Sequence, residues 1–447
     1  MTAPPPSLPS SSRYNPIWIS LSCGLYWFAF SLTRPIISLY AASLGMKGFA
    51  VGLVLAIYAF LPLLAAIPGG FIADKLGRTV VLRAGSVLML TSGLLYFASS
   101  WFSWGPWLLG LAQLLAGLGQ MAVWLAVQVL ITEGPKQSHE SQFATFSLYM
   151  AIGQMIAPIV SGFLSEHYGY SMVFAGYALS SLLLIGTSWQ CKEIDTTSQT
   201  GQSKSCSSSE ADELLPNIIN RQSPSREARL SSSSPLSGVL SKCLSLLQNR
   251  HFAVILLTTF ISLFIVDVRT AYLPIHLETL SITNTKVGLI VSVGALSALF
   301  VRPIYPWLIR KIHFRWLLIS TYAVSLLLLF VTPLITNFYL MAGLVFFTGL
   351  ALGINQPMTL SMIAQSTQSD ERGVGIGLRL MSNRAAQLMD PLLFGLFTGF
   401  ASLRTSFWLV GGVLLLCCLF TIHLYLSTER TPKGRPRPAQ VLREKQL

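Results

Sequence analysis

The chain has 447 residues, 52% of them hydrophobic and 11% charged, with a formal net charge of +13 and a mean hydropathy of +0.61. Soluble domains carry about 25% charged residues, so the composition excludes an ordinary soluble enzyme and predicts side chains buried against lipid. The basic excess is read below as topogenic and lipid-facing, which argues against a nucleic-acid partner.

Apolar runs long enough to cross a bilayer core recur along nearly the whole sequence. In chain order they predict helices near residues 16–40, 50–72, 80–99, 106–131, 142–164 and 170–189, and then near 250–275, 286–308, 315–336, 338–364, 374–400 and 405–427. The first run is too long for a signal-peptide core and lacks a small-residue cleavage site, so it is expected to remain in the mature protein. Between the two sets of six, residues 190–249 turn polar and serine-rich. Ser203–Ser209 and Ser231–Ser234 lie in sequence unable to bury enough apolar surface to order itself. This segment reads as a flexible cytoplasmic linker. Residues 1–15 and the basic tail 428–447 read as disordered ends.

Placing both termini in the cytoplasm puts about 22 Lys and Arg on that side and three outside, Lys47, Lys286 and Arg404, as the positive-inside rule requires. Five arginines then fall within spans: Arg34, Arg269, Arg302, Arg379 and Arg384. The cysteines, Cys23, Cys191, Cys206, Cys243, Cys417 and Cys418, show no metal-ligand or redox spacing. There is no P-loop pattern, and the sequence calls for no metal or other cofactor.

The halves echo each other. Arg34 followed by Val51-Gly52-Leu53 matches Arg269 followed by Val287-Gly288-Leu289, as expected of an internal repeat with a binding site between two bundles.

After the second span comes Gly70-Phe71-Ile72-Ala73-Asp74-Lys75-Leu76-Gly77-Arg78-Thr79. Its glycines permit close helix approach, and Asp74 is able to pair with an arginine or cap a helix. This segment resembles the loop signature of the major facilitator superfamily, G-x-x-x-D-x-x-G-R, at Gly70, Asp74, Gly77 and Arg78. The family's next basic residue is Thr79 here, with Arg83 nearby. The resemblance implies an all-α membrane protein of twelve transmembrane helices in two pseudo-symmetric six-helix bundles, the major facilitator fold, most like bacterial proton-coupled efflux proteins. It also implies a gating role for Gly70, Asp74, Gly77 and Arg78. The equivalent second-half loop, Arg302-Pro303 through Arg310-Lys311, lacks the aspartate and the glycines.

Gln113, Gln120, Trp124 and Gln128 in the fourth span return to nearly one helix face, which must turn toward a cavity or a helix interface. Where family members often carry a proton-coupling arginine this chain has Gln113, which puts that proton route in doubt. In the fifth span, Gly153, Pro158 and Gly162, with Ala157 and Ser161 replacing glycines, look like a degenerate form of the family's antiporter motif G-x-x-x-G-P-x-x-G-G. This match favours export in exchange for protons, with Pro158 a kink point. The eleventh span places Arg379, Asn383, Gln387 and Asp390 within about 80° of one face, with Arg384 at its flank. The tenth adds Asn355-Gln356-Pro357 and the seventh Asp267 and Arg269.

Five arginines against two acids leave the spans with excess positive charge, and a buried unpartnered arginine is expensive. Either some arginines, Arg34, Arg269 or Arg302, extend to the headgroups, or several bind an anionic substrate group, for which guanidinium forks are well shaped. The second reading predicts a carboxylate-bearing or otherwise anionic small molecule held by Arg34, Gln120, Trp124, Arg269, Asn355, Gln356, Arg379, Asn383 and Arg384. Asp267 and Asp390 would carry the coupling proton. Tyr26, Trp27, Phe30 and Trp124 are candidates to wall the apolar part of the cavity.

The expected protein is a monomeric, multi-pass secondary transporter of the bacterial inner (cytoplasmic) membrane whose partners are its substrate, protons and the lipid bilayer. Exporters of metal-chelating carboxylate metabolites, such as siderophores, are the nearest analogy. Uptake of an organic acid or sugar by symport is the alternative, and a non-transporting sensor or scaffold is the alternative from another class.

Overall fold

The computed structural model describes residues 16–66, 76–102, 104–132, 139–191, 243–367 and 372–429. Among them there is no strand, and twelve long helices follow in order. They are α1 (Pro16–Ser43), α2 (Phe49–Ala65), α3 (Arg78–Ser99), α4 (Gly105–Thr132), α5 (His139–Tyr168), α6 (Tyr170–Gln190), α7 (Arg250–Thr279), α8 (Asn284–Lys311), α9 (Phe314–Val331), α10 (Phe338–Ser366), α11 (Arg372–Phe400) and α12 (Leu403–Glu429). α7 is interrupted at Tyr272 and restarts as Leu273–Thr279. Most helices run a few residues past the apolar runs in the sequence, while α7 and α10 begin on the expected residue behind asparagine caps. Asn249 accepts from His251 N at 3.0 Å at the start of α7, and Asn337 accepts from Tyr339 N at 2.9 Å at the start of α10. The end of the second expected span, nearly all of the linker and both tails lie outside the described residues.

Ten of the helices are long and apolar enough to cross a membrane by length and composition. The other two are α2, which is shorter, and α11, whose length of 29 residues is suitable but whose polar face lowers its apolar content. Large apolar side chains stand on the surface along α3, α6, α9 and α12, among them Leu94, Leu183, Leu327 and Leu416. In water such a surface would drive association; in a bilayer it is the solvated face.

The described helices fall into two compact units. Of the described residues, the first takes those within 1–44, 57–241 and 283–292, and the second those within 45–56, 242–282 and 293–447. In the first, α1 packs on α4, α5 and α6, and α3 packs on α4 and α6. In the second, α7 packs on α10, α11 and α12, and α9 packs on α10 and α12. These are the same pairings displaced by six helices, so the repeat suggested by the two arginine and Val-Gly-Leu segments is a repeat of packing.

Glycine makes the tightest crossings. Gly85 of α3 and Gly119 of α4 face each other, each placing a hypothetical Cβ 2.9 Å from the other's carbonyl oxygen. Such backbone approach supplies dispersion contact where apolar burial cannot drive association in lipid. Gly77, the residue before α3, has φ 90°, a conformation in which any side chain is strained.

Candidate functional site

In the first unit the functional side chains lie on α1, α2, α4 and α6. Arg34, late in α1, is folded back so that its guanidinium carbon lies 4.6 Å from the Tyr58 ring centroid and 5.0 Å from that of Phe30. Tyr58 in turn donates to Gln120 Oε1 at 2.6 Å. Gln120 Nε2 donates to Tyr177 OH at 3.4 Å, and that hydroxyl lies 3.2 Å from Ser92 Oγ. A buried polar chain therefore runs from α2 through α4 to α6 and α3. Gln113, two turns earlier on α4, accepts from Tyr96 OH at 2.7 Å. Both glutamines thus serve helix interfaces, and no charge stands where Gln113 does.

Beside this chain is an aromatic cluster. Trp124 stacks on Tyr26 with centroids 5.6 Å apart and meets Trp27 edge-on at 5.2 Å, and Trp27 meets Phe30 at 5.2 Å. Among the described residues the Trp27 Nε1–H is buried and has no acceptor. The four aromatics singled out in the sequence thus form one group, next to Arg34.

The second unit holds its own polar chain. Arg379 Nε on α11 donates to Thr359 Oγ1 on α10 at 3.1 Å, and Thr359 Oγ1 donates to the Asn355 carbonyl at 2.9 Å. Asn355 Nδ2 donates to Ser262 Oγ on α7 at 2.7 Å. Arg384 Nη1 donates to Gln387 Oε1 at 2.6 Å along α11. Asp267 and Asp390 are both buried, Asp390 completely. Immediately after Asp390, the Pro391 carbonyl accepts from Tyr272 OH at 2.9 Å, and the Tyr272 ring stacks on Phe394 with centroids 3.9 Å apart. Asn383 is half-buried on the same helix. The side chains of Gln356 and Arg302 lie outside the described residues.

Arg269 is set apart from this group. Its position faces α10 two turns along from Ser262, and it lines a separate small cavity with Ser325, Thr348 and Phe407. Its Nε and Nη1 are buried, as Arg34 Nε is, so both arginines are held inside the protein rather than extended from it.

The expected gating residues divide. Gly70 and Asp74 lie outside the described residues, while Gly77 precedes α3 and Arg78, half-buried, begins it. Arg83, one turn on, places its guanidinium carbon 4.6 Å from the Trp189 ring centroid of α6. Pro158 belongs to a tight seam within the first unit. A Cβ at Gly288 would fall on the Pro158 carbonyl oxygen, and one at Gly162 on the Asn284 carbonyl oxygen. Glu166, one turn further, accepts from Thr285 N at 2.8 Å at the start of α8. The second unit repeats the seam: a Cβ at Gly52 would fall on the Pro391 carbonyl oxygen, and Gly395 approaches Gly52 Cα and Gly48 O. Gly153, the other glycine of the antiporter-like motif, instead packs on α1, where a Cβ would come 2.6 Å from Gly24 O.

Sequence reasoning missed Tyr58, Tyr177, Ser262 and Thr359. The available signal for Tyr58 was its position seven residues after Val51 in the repeated segment; for Thr359 it was its place one turn beyond Asn355.

Twelve helices in a repeated arrangement, ten of them long and apolar enough to cross a membrane, with two buried polar chains inside them, are those of a multi-pass membrane protein of the transporter class. The Major Facilitator Superfamily model matches residues 19–320 and 255–445, and the chain belongs to that family. Among curated relatives it is similar to a multi-drug resistance efflux pump, the PmrA homolog of Lactococcus lactis subsp. lactis, at 34% identity over 177 residues. That match covers 38% of this chain and 42% of the relative. The quinolone resistance protein NorA of Staphylococcus aureus is 28% identical over 163 residues, 36% of this chain and 41% of that protein. The matches thus span about two fifths of each relative's length. Among solved structures, the nucleoside transporter NupG superposes with a TM-score of 0.71 at 12% identity, covering 92% of this chain and 98% of that one. A POT family transporter in complex with 5-aminolevulinic acid gives 0.69 at 14% identity, covering 93% and 96%. At these identities the likeness is one of fold.

Proposed function

We propose that the protein exports a small organic anion with a flat apolar body, exchanging it for protons by alternating access across the cytoplasmic (inner) membrane, with both termini in the cytoplasm. The observation that carries this reading is the pairing of Arg379 and Arg384 with neutral side chains, Thr359 and Gln387, which leaves their charge available to a carboxylate. The aromatic group of Tyr26, Trp27, Phe30 and Trp124, with the unused Trp27 Nε1–H, suits a flat ring system carrying an acceptor.

In this reading the substrate is held by Arg34, Trp124, Asn355, Gln356, Arg379, Asn383 and Arg384, while Gln120 is spent on the Tyr58 and Tyr177 hydroxyls. Arg269, which faces its own cavity, is left to another role. Asp267 and Asp390 take up and release the coupling proton. Both are buried acids on helices of the second unit. Gly70, Asp74, Gly77 and Arg78 form the gate, and the protein acts as a monomer. The efflux relatives and the residues shared with the antiporter motif support export over uptake. Quinolones, to which the relative NorA is named as a resistance protein, are suitable probe compounds.

The test is untargeted mass spectrometry of cells and spent medium from a deletion strain and its complemented parent, grown metal-replete and metal-starved. Retention of one acidic metabolite inside the deletion strain, and its loss from the medium, is the expected result. A compound left unused in the medium would mean uptake, and no difference in either fraction would mean that the protein transports nothing under these conditions. Asp267→Asn with Asp390→Asn should abolish export driven by a pH gradient; full retention would remove the proton role.

A further inference from the structure

The two repeated arginines are treated differently by the fold. Arg34 lies over the Tyr58 ring, seven residues after Val51. At the matching position, seven after Val287, stands Gly294, where a Cβ would come 3.0 Å from Arg269 Cζ and Nη1. Glycine makes room for the second guanidinium but offers no π face to offset its charge.

Arg269 Nε and Nη1 are buried with no acceptor among the described residues, and Ser325 Oγ on α9 is likewise buried and without a partner. Both side chains line one cavity, and Ser325 has no exposed surface. The other hydroxyls there have spent their protons: Thr332 donates to Leu328 O and Thr348 to Leu344 O. The unused groups are therefore two guanidinium N–H donors and one hydroxyl with its proton still to give.

No carboxylate lines this cavity among the described residues. Asp267, two residues before Arg269, projects from a different face of α7. Behind Phe407 is a further basic group, His276, its ring 5.9 Å from the Phe407 ring, and its Nε2 is buried without a partner. Arg404 begins the neighbouring helix, one residue after the start of α12. The charged and titratable groups around the cavity are thus basic, and a cation held in low dielectric calls for a counter-charge.

We propose that the second unit holds a buried site for a single halide-sized anion, chloride in the cell, gripped by the Arg269 guanidinium and the Ser325 hydroxyl. The cavity has a volume of about 20 Å³, enough for one water or one monatomic ion and too little for a carboxylate metabolite. A water could accept from two of the three donors, but it brings no charge; a halide accepts from all three and neutralises the arginine. This anion is a structural counter-ion, distinct from the exported substrate.

The experiment is thermal unfolding of the purified full-length protein in detergent, titrated with sodium chloride or bromide against sodium gluconate at constant ionic strength. The wild type should gain stability saturably with either halide. Ser325→Ala, a small change in a packed position, should shift the halide midpoint upward by about tenfold, the loss of one charge-assisted hydrogen bond of about 1.4 kcal/mol or more. Arg269→Gln should lose the response. Because that variant risks misfolding, bromide anomalous diffraction from the wild type gives an independent arm, with a peak expected between Arg269 and Ser325. Identical unfolding of the wild type in halide and gluconate would overturn the proposal. So would an unchanged halide midpoint in Ser325→Ala, or a bromide-soaked crystal with no peak there.

Discussion

The Arg34 guanidinium lies 4.6 Å from the Tyr58 ring centroid while the same tyrosine's hydroxyl donates to Gln120 Oε1 at 2.6 Å. One side chain thus holds a cation on its face and a helix junction at its tip. A charge inside an apolar bundle is tolerable when an aromatic quadrupole faces it, and the hydroxyl ties the same ring to α4.

Tyr58→Phe separates these two duties. The ring under Arg34 remains, but buried Gln120 Oε1 loses its donor, so stability should fall by about 1–3 kcal/mol. Thermal unfolding in detergent measures it. Gln120→Leu should cost a similar amount, and the double variant less than the sum of the two, since neither buried group is then left without its partner.

The glycine seams make a sharper prediction. Gly52→Ala and Gly288→Ala each drive a methyl into a proline carbonyl, and each should lower stability by about 1–3 kcal/mol and reduce transport. Gly186 and Gly412 have nothing within 4 Å of a Cβ. Alanine at either should be neutral or raise stability by up to about 1 kcal/mol, as expected where helix propensity alone acts. Equal behaviour of the two pairs in unfolding and flux assays would contradict the seam.

Arg379→Lys keeps the charge but loses the planar fork, and Arg379→Gln loses both. If the arginine holds a carboxylate, transport of an acidic substrate should fall at least tenfold for Gln, corresponding to about 1.4 kcal/mol of binding, and less for Lys. Flux into inverted membrane vesicles is the readout, and Thr359→Val, which removes only the neutral partner, should have the smaller effect.

Arg83 over Trp189 joins the start of α3 to the end of α6. Trp189→Leu, at an exposed ring, should cost about 0.5–1 kcal/mol through the lost cation–π contact. A double-mutant cycle with Arg83→Gln isolates that coupling from the lost apolar area.

Much of the fold was legible in the sequence because the bilayer imposes a length rule: an apolar run near 20 residues bounded by charge leaves few other structures open. α11 was legible for the opposite reason, since Arg379, Asn383, Gln387 and Asp390 on one face must turn inward. The partners were harder to see. Serine, threonine and tyrosine are common in apolar helices, and most of the hydroxyls here bond to their own helix, as Thr258 does to Val254 O and Ser180 to Tyr177 O. No local pattern distinguishes those from Ser262, which bonds back to Thr258 O in the same way yet also accepts from Asn355 of α10, or from Tyr58, which reaches across to Gln120. Only the tertiary structure says which hydroxyl faces a neighbour. The opposite treatment of Arg34 and Arg269 was encoded in Tyr58 and Gly294, yet it acquires meaning only once each helix is laid against its arginine.

The two seams at Pro158–Gly288 and Gly52–Pro391 are made of main chain against main chain. No rotamer is frozen when such a surface forms and none is released when it parts, so each seam is nearly free of side-chain entropy. The strength of such a contact is set almost wholly by dispersion and backbone dipoles. Any side chain larger than hydrogen at Gly52 or Gly288 would wedge the two backbones apart.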